Sequence, residues 1–168
     1  MPTQPTEFAL ERFLPYRLAV LAHGVSRALG EVYGDRFDLT IPEWRIVANL
    51  GHAGALYAGE LAERSNMDKP KVTRALQRLE KSGCVARAID VEDRRQARLS
   101  LTRKGQQLFA NVAKIASSWE AELLSPLDAG ERQAFEQCLV KLAAKANEMR
   151  SQGQKNSKSV SAKHGEKS

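Results

Sequence analysis

The sequence predicts a mostly α-helical chain that carries one small antiparallel β-ribbon. Three observations point that way. Apolar residues recur at spacings of three and four over long stretches near both ends of the chain, the period of a helix with one buried face. Prolines, glycines and short polar clusters cut the middle of the chain into shorter helical pieces. Finally, two strand-like runs, residues 84–89 and 97–101, flank a charged segment at 90–96, the pattern of a hairpin with a charged tip.

Taken in order, residues 1–7 hold two prolines and no apolar run and are expected to form a flexible arm. From Phe8 to Tyr33 the pattern is helical, with Leu14, Leu18, Leu21, Val25, Ala28 and Val32 forming a coiled-coil-like seam. Pro15 marks where the regular helix should begin, after a short irregular segment. Residues 34–40 break the pattern. A second helix is expected over 41–51, with Pro42 in its first turn, where a missing N–H does no harm. After a turn at His52, Ala53 and Gly54, a short helix spans 58–64 and a longer one 68–82, closed by Gly83 as C-cap. Beyond the hairpin, Thr102 is a good N-cap for a long helix with the seam Leu108, Val112, Ile115, Trp119 and Leu123. Ser125 and Pro126 end it. Asp128 and Glu131 have capping-box spacing and open a last helix to about Arg150, with Phe135, Leu139, Leu142, Ala146 and Met149 on one face. Residues 151–168 are almost free of apolar side chains and are expected to be a disordered basic tail.

The 168 residues suit a single domain with a real core. Lys and Arg number 26 against 20 Asp and Glu, a net charge of +6, and the pI is about 9.5, which favours a polyanionic partner. Half of that excess lies in the tail, where Lys155, Lys158, Lys163 and Lys167 face only Glu166. Cys84 and Cys138 are too few for a disulfide framework and lack metal-ligand spacing, so a reducing, cytoplasmic setting is expected. No apolar run is long enough to span a bilayer and the first residues do not resemble a signal peptide, so no membrane association is expected. No P-loop, GxGxxG, GxSxG or HExxH motif is present, and the three histidines are scattered, so no enzyme, cofactor or metal is expected.

Residues 58–79 carry the most chemistry. Leu61 and Ala62 supply an apolar and a small contact, and Asn66 stands where a tight turn needs positive φ. Met67, Val72 and Ala75 follow at the offsets of a shared core, the pattern of a helix-turn-helix; an ordinary helical hairpin is the alternative. On the second helix of the pair, Val72, Ala75, Leu76 and Leu79 share one face. Pro70, Thr73, Arg74, Gln77 and Lys81 lie opposite, and Lys69, Lys71 and Arg78 add cations around them. Arg and Gln suit base edges in the major groove of double-stranded DNA, while Thr and Lys suit phosphates or methyl groups. A merely solvated basic face is the alternative. The hairpin adds Arg87, Arg94, Arg95 and Arg98; an arginine at its tip suits the narrow minor groove, and Asp93 can buttress Arg95.

These residues resemble the MarR-type winged helix-turn-helix regulators. The resemblance lies in residues 60–64, 72–83 and 93–105, and above all in Asp-x-Arg at 93–95 followed by Leu-Thr-x-x-Gly at 101–105. It implies a winged helix-turn-helix core over residues 39–104, flanked by an N-terminal dimerisation helix at 8–38 and C-terminal dimerisation helices at 105–150. It also implies a homodimer on a palindromic operator, usually a repressor relieved by a small ligand. By the same resemblance Asp93 and Arg95 match the wing pair, and Thr73, Arg74 and Gln77 fall on recognition-helix positions. The leucine-rich seams at both ends independently suit an intermolecular bundle; burial within one chain is the alternative. Effectors in the family often bind between the flanking helices and the winged domain. There, Tyr16, His23 and Arg27 on the first helix, with Trp44 and Arg45 on the second, suit a small anionic aromatic effector or its coenzyme A thioester. A cysteine-based redox sensor and a ligand-independent architectural DNA-binding protein are the alternatives.

Overall fold

The computed structural model describes residues 8–89 and 96–165, with side chains through residue 152. Asp93, Arg94 and Arg95 lie outside the described residues. A 3-10 turn at Leu10–Arg12 leads into α1 (Leu14–Phe37), followed by α2 (Ile41–Ala53), α3 (Ala58–Ser65) and α4 (Lys69–Lys81). Strands β1 (Val85–Ile89) and β2 (Ala97–Leu101) precede α5 (Arg103–Leu123) and α6 (Ala129–Gly165). The described residues up to Trp119 form one compact unit and those from Glu120 a second.

Local chemistry accounts for the boundaries. Pro15 sits in the first turn of α1, as its fixed φ and missing N–H require. Asp38 ends α1 in the left-handed region, at φ 51°, four residues later than the periodicity alone suggests. Thr40 caps α2 in a reciprocal box with Glu43, and Asp68 caps α4 by accepting from Lys71 N at 2.8 Å. Ser82 is the C-cap of α4, and Gly83, at φ 72°, is the left-handed residue just beyond it. The box of Asp128 and Glu131 forms in both directions, each bond 2.9 Å long.

In the first unit the core is built by Ile46, Val47 and Leu50 of α2, Leu61 of α3, and Val72, Ala75, Leu76 and Leu79 of α4. Leu56, Cys84, Val85 and Leu99 close it from the wing side, and Tyr33 and Val112 bring α1 and α5 to it. β1 and β2 pair antiparallel with Val85 opposite Leu101 and Ile89 opposite Ala97. An isolated antiparallel bridge joins Leu56 to Leu99, with Leu56 N donating to Leu99 O at 3.0 Å and Leu99 N to Leu56 O at 2.9 Å. Gly30 lets α1 pass close to Ile41, since a Cβ there would sit 2.7 Å from the isoleucine side chain.

The last helix runs beyond its expected end near Arg150. Its backbone stays helical to Gly165, well past Arg150. The lack of apolar residues after 150 bears on packing; it does not interrupt a hydrogen-bond ladder, and no proline stands between Ser151 and Gly165 to do so. On this helix Cys138 is exposed in the single chain, whereas Cys84 is buried.

Candidate nucleic-acid interface

The site starts from a turn. Asn66 holds φ 51° and ψ 47°, so α3 stops and α4 sets off in a new direction within three residues. Ala62 O accepts from Met67 N at 3.0 Å, and Met67 packs partly buried against the core. Ser65, itself buried, donates its hydroxyl to Leu61 O, and Arg45 Nη1 of α2 donates to Ser65 O at 3.3 Å. The turn is thus closed by hydrogen bonds on three sides, and α3 with α4 forms the expected helix-turn-helix.

α4 divides as its wheel predicts. Val72, Ala75, Leu76 and Leu79 are buried, while Lys69, Pro70, Lys71, Thr73, Arg74, Gln77, Arg78 and Lys81 are exposed. Among the described residues Arg74, Gln77 and Lys81 make no hydrogen bond or ion pair within the protein. Their polar groups are presented to solvent. Thr73 donates its hydroxyl back to Lys69 O at 2.9 Å, which leaves its oxygen lone pairs and methyl group outward. Lys71 Nζ lies 3.0 Å from Asp68 Oδ2. The Asp68 carboxyl is held below the usual carboxylate range by the Lys71 backbone N–H first, then by the Lys71 ammonium and the more distant Arg74 charge.

Arg78 is placed differently. Its Nε is 2.8 Å from Oε1 of Glu43, a residue only 3% exposed, while the arginine side chain remains 57% exposed. The other Glu43 oxygen accepts from Thr40 N at 2.8 Å and Thr40 Oγ1 at 2.6 Å. Sequence reasoning missed Glu43. The Thr-x-x-Glu spacing at 40–43 signals the cap, but the pairing with Arg78 joins distant parts of the chain and leaves no local mark.

The base of the wing is tied to the same scaffold. Arg87 Nε donates to Glu80 Oε1 at 2.9 Å, and the Arg98 guanidinium lies 5.3 Å from the Tyr57 ring centroid. Lys104 Nζ reaches Ser82 O at 2.7 Å, placing a cation at the C-terminal end of α4. Thr102 Oγ1 donates to Gly83 O at 2.7 Å and accepts from Gly105 N at 3.1 Å. Gly105 is buried against the Cys84 carbonyl, at a distance that leaves no room for a Cβ. The Leu-Thr-x-x-Gly pattern therefore has a physical cause: threonine caps α5 and glycine lets that helix press against the start of the wing.

The five residues expected at an effector site have different partners. Tyr16 lies on an open groove along α1 lined by Glu11, Leu14, Arg17, Leu18, Val20 and Leu21, which does not include the other four. His23 is exposed, and Arg27 Nε is 3.7 Å from Glu31 one turn along the same helix. Arg45 is engaged with Ser65 O. Trp44 packs between Tyr33, at 4.9 Å between ring centroids, and Phe109, at 6.3 Å and nearly parallel. The Tyr33 hydroxyl is buried and has no hydrogen-bond partner among the described residues, and burial pushes its phenol up to about 12. The aromatic cluster of Tyr33, Trp44 and Phe109 was not anticipated as a unit, because its members come from three helices.

Comparison with known proteins gives consistent matches. A family model described as MarR family matches residues 39–97. The HTH-type transcriptional repressor Rv2887 of Mycobacterium tuberculosis is 30% identical over 133 residues, 79% of this chain and 92% of its own length. A MarR family transcriptional regulator from Silicibacter pomeroyi superposes with a TM-score of 0.71 at 28% identity, over 85% of this chain and 97% of that one. The structure of NadR in complex with 4-hydroxyphenylacetate superposes with a TM-score of 0.65 at 25% identity, over 85% of this chain and 98% of that one.

Proposed function

The chain belongs to the MarR family and is a DNA-binding transcriptional regulator, not an enzyme, and we propose that it represses transcription as a homodimer on a palindromic operator. The observation that carries this reading is the outward face of α4. Arg74 and Gln77, side chains suited to base edges, are exposed and make no hydrogen bond or ion pair among the described residues, and cations flank them. A twofold dimer sets two such helices about 34 Å apart, one turn of duplex, so that each enters a half-site of the major groove. Lys69, Lys71 and Arg78 then serve phosphates, Arg94 and Arg95 serve the minor groove, and Asp93 buttresses Arg95.

The test is selection of binding sites from random duplex DNA, followed by titration of the selected and a scrambled duplex. A discrete inverted repeat is expected, bound at least about a thousandfold more tightly than the scrambled duplex. Its affinity should fall steeply with salt, as phosphate neutralisation releases counterions. Equal affinity for both duplexes would overturn the reading. It would then favour an architectural DNA-binding protein.

A second reading concerns release from DNA. The orphaned hydroxyl of Tyr33 beside Trp44 supports a small anionic aromatic acid as effector, with the phenol as donor and the indole as stacking surface. The relative crystallised with 4-hydroxyphenylacetate carries a ligand of that chemistry. Titration of the operator complex with 4-hydroxyphenylacetate and with coenzyme A thioesters of aromatic acids tests it. Dissociation that is lost in Tyr33→Phe supports the reading; an unchanged response removes Tyr33 from it.

A further inference from the structure

From the pairing of Arg78 with a buried carboxylate, we infer that Glu43 is a positioning residue for DNA recognition: it fixes the Arg78 guanidinium through Nε and leaves the terminal amino groups to hold a DNA phosphate. This rests on the reading of α4 as the recognition helix. Glu43 is almost wholly buried, and its cap on α2 uses one oxygen only, Oε2, which takes both the N–H and the hydroxyl of Thr40. The second oxygen is spent on an arginine that stays more than half exposed. Helix stability does not ask for that arrangement, since a buried carboxylate with a charged partner is no more stabilising than apolar packing of similar volume.

The location on α4 matters as much as the bond. Lys71, Arg74 and Arg78 follow one another at spacings of three and four, so they form one cationic edge of the helix. Two cations one turn apart, Arg74 and Arg78, repel and would otherwise splay. Each end of the row is held by an acid, Lys71 by Asp68 and Arg78 by Glu43, while Arg74 between them makes no hydrogen bond or ion pair among the described residues. The partner of Lys71 is exposed, whereas that of Arg78 is buried and itself clamped by Thr40. Only Arg78 is therefore pre-ordered by the interior of the domain. An arginine bound through Nε keeps its terminal N–H groups for a phosphate and loses little freedom on binding DNA.

Measured on the full chain, the affinities for selected and scrambled duplex distinguish this role from a purely structural one. Glu43→Gln keeps the shape and the capping acceptor but removes the charge that orients Arg78. The variant is expected to bind the selected duplex about tenfold more weakly. Its affinity for scrambled duplex should stay equal or rise, because the chain gains net positive charge. Arg78→Ala is expected to weaken both and to lower the slope of log affinity on log salt by about one contact. The Glu43→Gln/Arg78→Ala double variant should match Arg78→Ala alone. Arg78→Lys, which keeps the charge without the Nε fork and leaves α2 untouched, should reproduce the selective loss even if Glu43→Gln folds poorly.

Fully additive losses in the double variant would overturn the inference. So would an equal loss on both duplexes in Glu43→Gln and Arg78→Lys, or no loss in either. A wild-type chain without any preferred duplex would instead overturn the reading of function beneath it.

Discussion

Tyr33 shows how one atom shapes stability. Its hydroxyl is shut away from water and meets no acceptor, and the side chain is only 2% exposed. Removing it in Tyr33→Phe is expected to raise stability at neutral pH by about 1 kcal/mol, measured by urea denaturation. The phenol is raised in the folded chain from 10.0 to about 12 by burial. A raised value means that folding favours the neutral phenol, so ionisation leaves stability unchanged below pH 10 and lowers it as pH rises toward 12. Tyr33→Phe should flatten that alkaline loss relative to wild type. Asp68 acts in the opposite sense. Its carboxyl is lowered from 3.8, chiefly by the Lys71 N–H, so its contribution is present above that value and lost as pH falls further. Asp68→Asn keeps a capping oxygen but cannot titrate, and its melting temperature should vary less with pH below about 4 than that of wild type.

At the scale of the element, Gly105 is the most demanding position. Any Cβ there collides with the Cys84 carbonyl, so Gly105→Ala must push α5 away from β1. The expected cost is about 1–3 kcal/mol, read as a lower urea midpoint. That contact was not legible locally, whereas other requirements were. Asn66 announced the turn, the four apolar residues of α4 announced its buried face, and Thr102 announced the start of α5. Each is a matter of spacing within a few residues. What could not be read was tertiary. Glu43 meets Arg78 across the core, and Trp44 meets Tyr33 and Phe109 from separate helices; nothing in the immediate neighbourhood of any of them sets that contact. The end of α6 was misplaced for a related reason. Composition reports what a segment can bury, and a helix backbone needs no burial to be continuous.

For the whole molecule the apolar rows left on the surface are decisive. Leu21 on α1 is 53% exposed and Val140 on α6 is 70% exposed, with Leu14, Val20, Leu139 and Leu142 also uncovered in a single chain. Isolated soluble chains rarely leave such rows open, and a second copy of the chain covers them in the proposed dimer. Leu21→Glu is expected to convert the protein from twice its 18.6 kDa chain mass to a monomer in light scattering. The same change should abolish binding to the inverted repeat while leaving the weak association with random DNA, since each helix-turn-helix remains intact.

The bridge between Leu56 and Leu99 has a dynamic consequence. It joins the loop before α3 to the strand that carries the wing, with both amides paired and both side chains buried. The loop that opens α3 and the base of β2 are therefore tied together, and a movement of one is expected to carry the other. In deuterium exchange the amides of Leu56 and Leu99 should open together and as slowly as those of Leu76 and Leu79. Early exchange at Leu99 alone would mean that the ribbon is hinged.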